Sequence, residues 1–198
     1  MYAVGHFALG YLSGKVASRF LGVELNLSLI FFASVFPDID IVIPFLEHRG
    51  PLHSVLVLCL LFVPLFLLYR RRAVPYFVAV VQHSLIGDYL TGGAQLLWPV
   101  STGVYGVAVS VDSLSNVVLE WVLFVVAVVV LFRTKDVKLL FSRCLSNRLL
   151  FVPLMTVLLP ALLTFPLHLP LALLFPHLFF LGLFALSILV RLNNHDKT

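Results

Sequence analysis

The chain has 198 residues, of which 61% are hydrophobic and only 11% charged, with a mean hydropathy of +1.09. A soluble domain with that surface would aggregate, so the composition excludes one and indicates an integral membrane protein. The formal charge of +4 comes from basic residues in loops suited to anionic lipid headgroups, and nothing in their distribution suggests nucleic-acid binding.

Seven apolar segments, roughly 3–21, 25–46, 54–69, 74–91, 114–132, 149–166 and 171–190, predict an all-α polytopic transmembrane bundle. About seven spans are expected, with six as the alternative count, since a spanning helix needs about 20 residues. The chain reads as one integral membrane domain over 1–198, with a site-bearing core in 1–113 and additional packing helices in 114–198. The first segment carries His6 and a Gly10/Gly14 small-xxx-small pair that permits close helix packing. It lacks the basic start and compact apolar core of a cleavable signal.

In the second segment, Asn26 to Pro37 spans about eleven residues, or roughly 16 Å of helix. The helix is therefore expected to break at Pro37, leaving Asp38 and Asp40 in a recessed pocket, because irregular backbone at membrane depth must be buried in protein or line a wet cavity. Ser54 opens the third segment and can cap it. In the fourth, His83 and Asp88 are five apart. On an ordinary helix Ser84 rather than His83 shares a face with Asp88, unless the helix is locally wound at Gly87. In the fifth, Asp112, Asn116 and Glu120 are four apart and stack on one face, although Asp112 can also be a cap. Glu120 lies inside the span and needs Arg49, a metal or a protonated partner. The last two segments are rich in Leu, Phe and Pro. Pro160, Pro166, Pro170 and Pro176 imply kinks without chemistry. No disulfide is expected between Cys59 and Cys144.

Lys and Arg collect in cytoplasmic loops. With the N-terminus outside and the C-terminus cytoplasmic, every Lys and Arg except Arg49 falls on the cytoplasmic side, from Lys15 and Arg19 through Arg70–Arg72 to Arg191 and Lys197. This threading brings Asp38, Asp40, His48, His53, Asp88 and the outer end of the first helix toward one face of the cytoplasmic membrane, looking outward.

Ionisable groups at that depth are expensive and mark function by default. Imidazole and carboxylate ligands suit a divalent metal, zinc first, with manganese or iron as alternatives. Asp38, Asp40, His53 and Asp88 are the first-choice ligands, followed by His6, His48 and His83. Arg49 offers a planar fork for a phosphate or carboxylate oxygen, and His48, Ser54 and Glu120 complete the candidate catalytic set. Opposed to these are blander readings: a helix-terminating turn for Asp38 and Asp40, a cap for Ser54, and interhelical hydrogen bonding for His6 and His83. His168, His177 and His195 read as structural or interfacial.

His6, Pro37-Asp38-Ile39-Asp40, the stretch His48-Arg49-Gly50-Pro51-Leu52-His53-Ser54, His83 with Asp88, Thr91 with Gly92 and Gly93, and Trp98-Pro99 resemble, over roughly residues 1–103, the YdjM-like family of membrane-bound metal-dependent hydrolases. The resemblance implies a membrane-embedded, metal-dependent hydrolase; the recessed site, Arg49 and the hydrophobic surroundings point to an ester or phosphoester near the outer face as its substrate, such as a lipid headgroup or polyprenyl phosphate. Membrane lipids and a lipid-like or phosphorylated small substrate are the expected partners. The competing expectations are a metal-dependent lipid amide hydrolase, a metal- or proton-coupled transporter, and a scaffold around a structural metal.

Overall fold

Helix boundaries follow the capping chemistry of the chain. The computed structural model describes residues 1–142, 145–163 and 168–192; Cys144, Pro166, His195 and Lys197 lie outside the described residues, as does the Arg191 side chain. Helix α1 (Ala3–Leu21) stops where Gly22 takes a left-handed φ of 60° and its N–H returns to the Arg19 and Ser18 carbonyls, a conformation glycine adopts without penalty. Helix α2 (Leu27–Ser34) starts at Asn26, whose side chain accepts the Leu29 N–H. It ends before a 3₁₀ turn at Pro37–Val42, the break expected at Pro37. Helix α3 (Val55–Tyr69) is capped by Ser54.

Helix α4 (Val74–Gln82) continues into a π-helical turn, His83–Asp88. A looped segment follows, in which the isolated antiparallel bridges Thr91–Ala108 and Ala94–Tyr105 are the nearest approach to a strand among the described residues. Helix α5 (Leu114–Arg133) is capped by Ser113, which accepts the Asn116 N–H. Asp112 is therefore outside the helix, exposed and bonded to Ser110, and does not extend the Asn116/Glu120 face. Helices α6 (Val137–Leu140), α7 (Phe151–Leu163) and α8 (Leu174–Leu192) complete the bundle.

Helix α1 is the axis on which the others pack, touching α2, α4, α5, α7 and α8. Gly10 and Gly14 lie against Ser34 and Ile30 of α2, where an added Cβ would collide. The centre is aromatic: Phe7 and Phe31 each sit 5.1 Å, ring to ring, from Phe184, and Phe31 sits 6.2 Å from Tyr11. Offset and edge-on rings of this kind add specific packing to their area burial.

Among the described residues two helices, 114–133 and 171–190, are long and apolar enough to cross a membrane, and only 28% and 33% of their apolar windows are buried. Their apolar surface, like that of Leu60, Leu67 and Leu68 on α3, is turned outward, the inverse of a soluble core helix.

The end of the bundle remote from His6 is closed by its own polar partners. Asn147 accepts from Ser28 (2.7 Å) and donates to the Leu140 carbonyl (2.8 Å), tying α2 to α6. Asp136 holds Lys15 at 2.6 Å and the Tyr11 hydroxyl at 2.7 Å. Burial pushes the Asp136 carboxyl up, but hydrogen bonds from Lys15 and Tyr11 outweigh it and hold the pKa below its ordinary value. A carboxylate depressed in the folded state stabilises above its unfolded pKa of about 3.9 and loses that contribution as pH falls through the folded value. Asp136→Asn is therefore expected to cost about 1–2 kcal/mol at neutral pH. Thermal melts in detergent should show the gap to wild type closing as the pH is lowered through the carboxylate range.

Candidate metal centre

At the His6 end, four segments deliver their polar groups to one point. The 3₁₀ turn after α2 supplies Asp38 and Asp40, a second short 3₁₀ turn at Pro51–His53 supplies His53, the π turn of α4 supplies His83 and Asp88, and α1 supplies His6. His53 Nε2 lies 3.6 Å from Asp38 Oδ1 and 3.2 Å from Asp88 Oδ2; His83 Nε2 lies 3.3 Å from each of the same two oxygens. His6, His53, His83 and Asp88 are buried, whereas Asp38 keeps partial access to solvent.

The π turn explains how residues five apart converge. Winding with i→i+5 bonds puts positions 83 and 88 on one face, and such bulges occur frequently at functional sites. Ser84, the residue an α-helix would have presented, is buried with its Oγ unpartnered. Gly87 is required in that turn because the His6 ring occupies the space a Cβ would need. This approach stacks the His6 and His83 rings with centroids 3.7 Å apart and planes 15° from parallel.

Ring orientation follows from the groups behind the cluster. His83 Nδ1 is 2.7 Å from the Ser34 carbonyl. A carbonyl only accepts, so Nδ1 carries a proton and, in the neutral ring, Nε2 presents a lone pair to the carboxylates. On the far side of His53, Nδ1 lies 3.1 Å from Asp40 Oδ2. Both ring nitrogens of His53, His83 Nε2 and Asp88 Oδ2 have no hydrogen-bond partner. Buried acceptors opposed in this way need either added protons or a cation between them. Three overlapping triads have one ligand atom each within 4.8 Å of one another: His6/Asp38/His83, Asp38/His48/His53 and His53/His83/Asp88. The donor set therefore fits a divalent ion.

Asp40, a first-choice ligand from sequence, sits behind this set. Its oxygens serve His48 Nδ1 at 2.9 Å, the Arg49 N–H at 3.2 Å and His53 Nδ1, the carboxylate–histidine arrangement that orients a metal ligand from outside. Arg49 takes a left-handed φ of 63°, which permits that backbone bond while the side chain turns toward the loop after α4. Its Nη1 donates to the Thr91 carbonyl at 2.6 Å, and its Nη2 is 3.5 Å from Asp88 Oδ1.

Ser54 is not poised as a nucleophile. Its hydroxyl donates to the Trp98 carbonyl at 2.6 Å and caps α3. Glu120 meets neither Arg49 nor the cluster; it accepts the Tyr2 backbone N–H at 2.7 Å and the Asn116 amide at 3.0 Å, holding the start of α1 against α5. The Ser34 and Thr91 carbonyls, which orient His83 and Arg49, carried no signal in the sequence because any residue supplies a carbonyl.

The cluster opens on a cavity of about 450 Å³ that Asp38, His48, Arg49 and Asp88 line together with residues of α7 and α8. Beyond this geometry, comparison with known proteins gives one decisive match: the family model described as YdjM inner membrane protein aligns with residues 1–165. The chain belongs to the YdjM inner membrane protein family. No curated protein and no solved structure matches it. The YdjM match spans the whole cluster and all of α7, and ends before α8.

Outer partners of metal-ligating histidines are worth about 10–100-fold in metal affinity. Asp40→Asn is expected to weaken the competition of the protein against a chelator by that factor, whereas Glu120→Gln should leave it unchanged.

Proposed function

We propose that this YdjM-family protein is a membrane-embedded, metal-dependent hydrolase of an ester or phosphoester carried by a lipid-like molecule. The observation carrying this reading is the pair of unpartnered Nε2 atoms of His53 and His83 held 3.2–3.6 Å from the Asp38 and Asp88 oxygens. Asp38, His53, His83 and Asp88 would hold the ion, zinc first and manganese or iron as alternatives, with His6 and His48 able to complete a second, overlapping set. A divalent cation there supplies Lewis-acid polarisation of the scissile group and a nucleophile at neutral pH.

The protein's own residues do the rest. Asp40 fixes the His53 ring and the His48 ring beside it. Arg49, anchored through one nitrogen, keeps donors for a phosphate or carboxylate oxygen and for the charge that develops there during displacement. Asp38, the most accessible carboxylate of the inner set, stands at the cavity side of the cluster.

Seven spans with the N-terminus outside would put this end of the bundle at the outer face of the membrane, within reach of headgroups. That threading rests on the distribution of Lys and Arg. A transport role is disfavoured by the layer between the two polar ends: from His6 to Lys15, α1 is packed about by Phe7, Tyr11, Phe31, Phe180 and Phe184, all buried, and the one hydroxyl among these five, that of Tyr11, is bonded to Asp136 at the remote end.

Metal content of the purified protein tests the proposal. One or two equivalents of zinc, manganese or iron are expected in wild type and in Ser54→Ala, which should lose only about 1 kcal/mol of cap stability. The metal should disappear, together with turnover of lipid phosphoesters in detergent, from Asp38→Ala, His53→Ala and His83→Ala. A metal-free wild type after reconstitution, or turnover persisting in all three variants, sinks the hydrolase reading.

A further inference from the structure

The cavity beside the cluster has two unlike walls. One carries His6, Asp38, Arg49 and Asp88; the other is apolar, formed by Phe151, Met155 and Leu159 of α7, with His177 of α8 set among them. Its volume of about 450 Å³ lies in the range of about 300–1,000 Å³ that takes one small ligand. A charged wall facing an apolar one fits an amphiphile, with the head at Arg49 and one chain along α7.

His177 is the polar exception on the apolar wall, and it is only 1% exposed. Its Nδ1 lies 2.8 Å from the Leu173 carbonyl, so the ring proton is on Nδ1 and Nε2 is a hydrogen-bond acceptor. That Nε2 has no hydrogen-bond partner. The neighbouring hydroxyls are already committed: Tyr2, whose ring stands edge-on 6.2 Å away, donates to the His168 carbonyl at 3.1 Å, and Thr156 donates to the Pro153 carbonyl at 2.9 Å. Among the described residues no donor reaches His177 Nε2, and one carried by a ligand in the cavity it lines would satisfy it.

We infer that His177 is a specificity-determining residue that accepts a hydrogen bond from a hydroxyl or amide N–H placed between the phosphate-bearing head and the single apolar chain of the substrate. The inference rests on the hydrolase reading for the head and narrows the substrate class to amphiphiles with a donor in the linker. It also gives α8, which lies beyond the family match, a part in selecting substrate.

The test uses two matched pairs of medium-chain alkyl phosphates, one with a free linker hydroxyl against its methyl ether, the other with an amide N–H against its N-methyl form. Binding to the full-length protein in detergent is measured alongside its metal content. Wild type should prefer the donor-bearing member of one pair by about tenfold, the scale of one neutral hydrogen bond, and the preferred pair identifies the linker. His177→Phe should abolish the preference, His177→Gln, which keeps an acceptor, should retain part of it, and Met155→Trp should weaken both members of a pair alike.

No preference in wild type for either pair, or a preference that survives in a folded His177→Phe, overturns the inference. If His177→Phe does not fold, loss of all preference in His177→Gln together with unequal weakening in Met155→Trp overturns it as well. Metal in wild type without a His177-dependent preference is failure of this inference alone, whereas a metal-free wild type that still shows the preference is failure of the hydrolase reading alone.

Discussion

Two buried imidazoles, the buried carboxylate of Asp88 and the partly accessible one of Asp38, brought face to face, are the constraint around which this bundle is arranged. Left uncompensated, such an arrangement is strongly unfavourable at membrane depth. Each neighbouring element sustains it. The Ser34 carbonyl accepts from His83 Nδ1 and Asp40 stands 3.1 Å behind His53 Nδ1, and Arg49 bridges Asp88 to the loop after α4. Helices α1 and α4 close over the cluster through the contact of His6 with Gly87. These supports hold the acceptors in place without neutralising them, which is what a cation site requires and what a merely structural polar core would avoid.

The fold tolerates this because its backbone irregularities are concentrated at that end. A helix broken before Pro37, a left-handed Arg49 and a π turn at His83–Asp88 each redirect a polar side chain inward, where continuous helices would have carried it around the cylinder. The remote end of the bundle shows the opposite economy. Asp136 is met by Lys15 and Tyr11, and Asn147 by Ser28 and the Leu140 carbonyl, so charge and hydrogen bonding are closed locally.

The outline of the site was legible because its residues are chemically out of place in an apolar chain. Pro37 to Asp40 and His48 to Ser54 announce themselves by charge density, and the break at Pro37 follows from helix length alone. Roles within the site were harder to read. Asp38 and Asp40 are equivalent in sequence, yet a turn of 3₁₀ helix sends one to the inner nitrogens and the other behind them. The five-residue spacing of His83 and Asp88 argues against a shared face until the π winding is known, and winding is a tertiary outcome here, fixed by the approach of the His6 ring to Gly87. Glu120 was read toward Arg49 because an interior carboxylate needs a partner, but backbone donors at the start of α1 fill that need and leave no trace in side-chain pattern. The packing role assigned to the last two helices missed the cavity wall, since Phe151, Met155 and Leu159 look the same whether they face lipid, protein or ligand.

Charge balance links the site to its surroundings. The Arg49 guanidinium lies 3.5 Å from Asp88 Oδ1 and the Met1 ammonium donates to Thr91 beside it, and the remaining Lys and Arg side chains of the described residues belong to the other end of the bundle or to its loops. With neutral histidines the three carboxylates Asp38, Asp40 and Asp88 outnumber these positive groups. An ion bound there would in turn leave Arg49 as the anchored positive group at the cavity edge, turned toward whatever anionic head the apolar wall of α7 brings within reach.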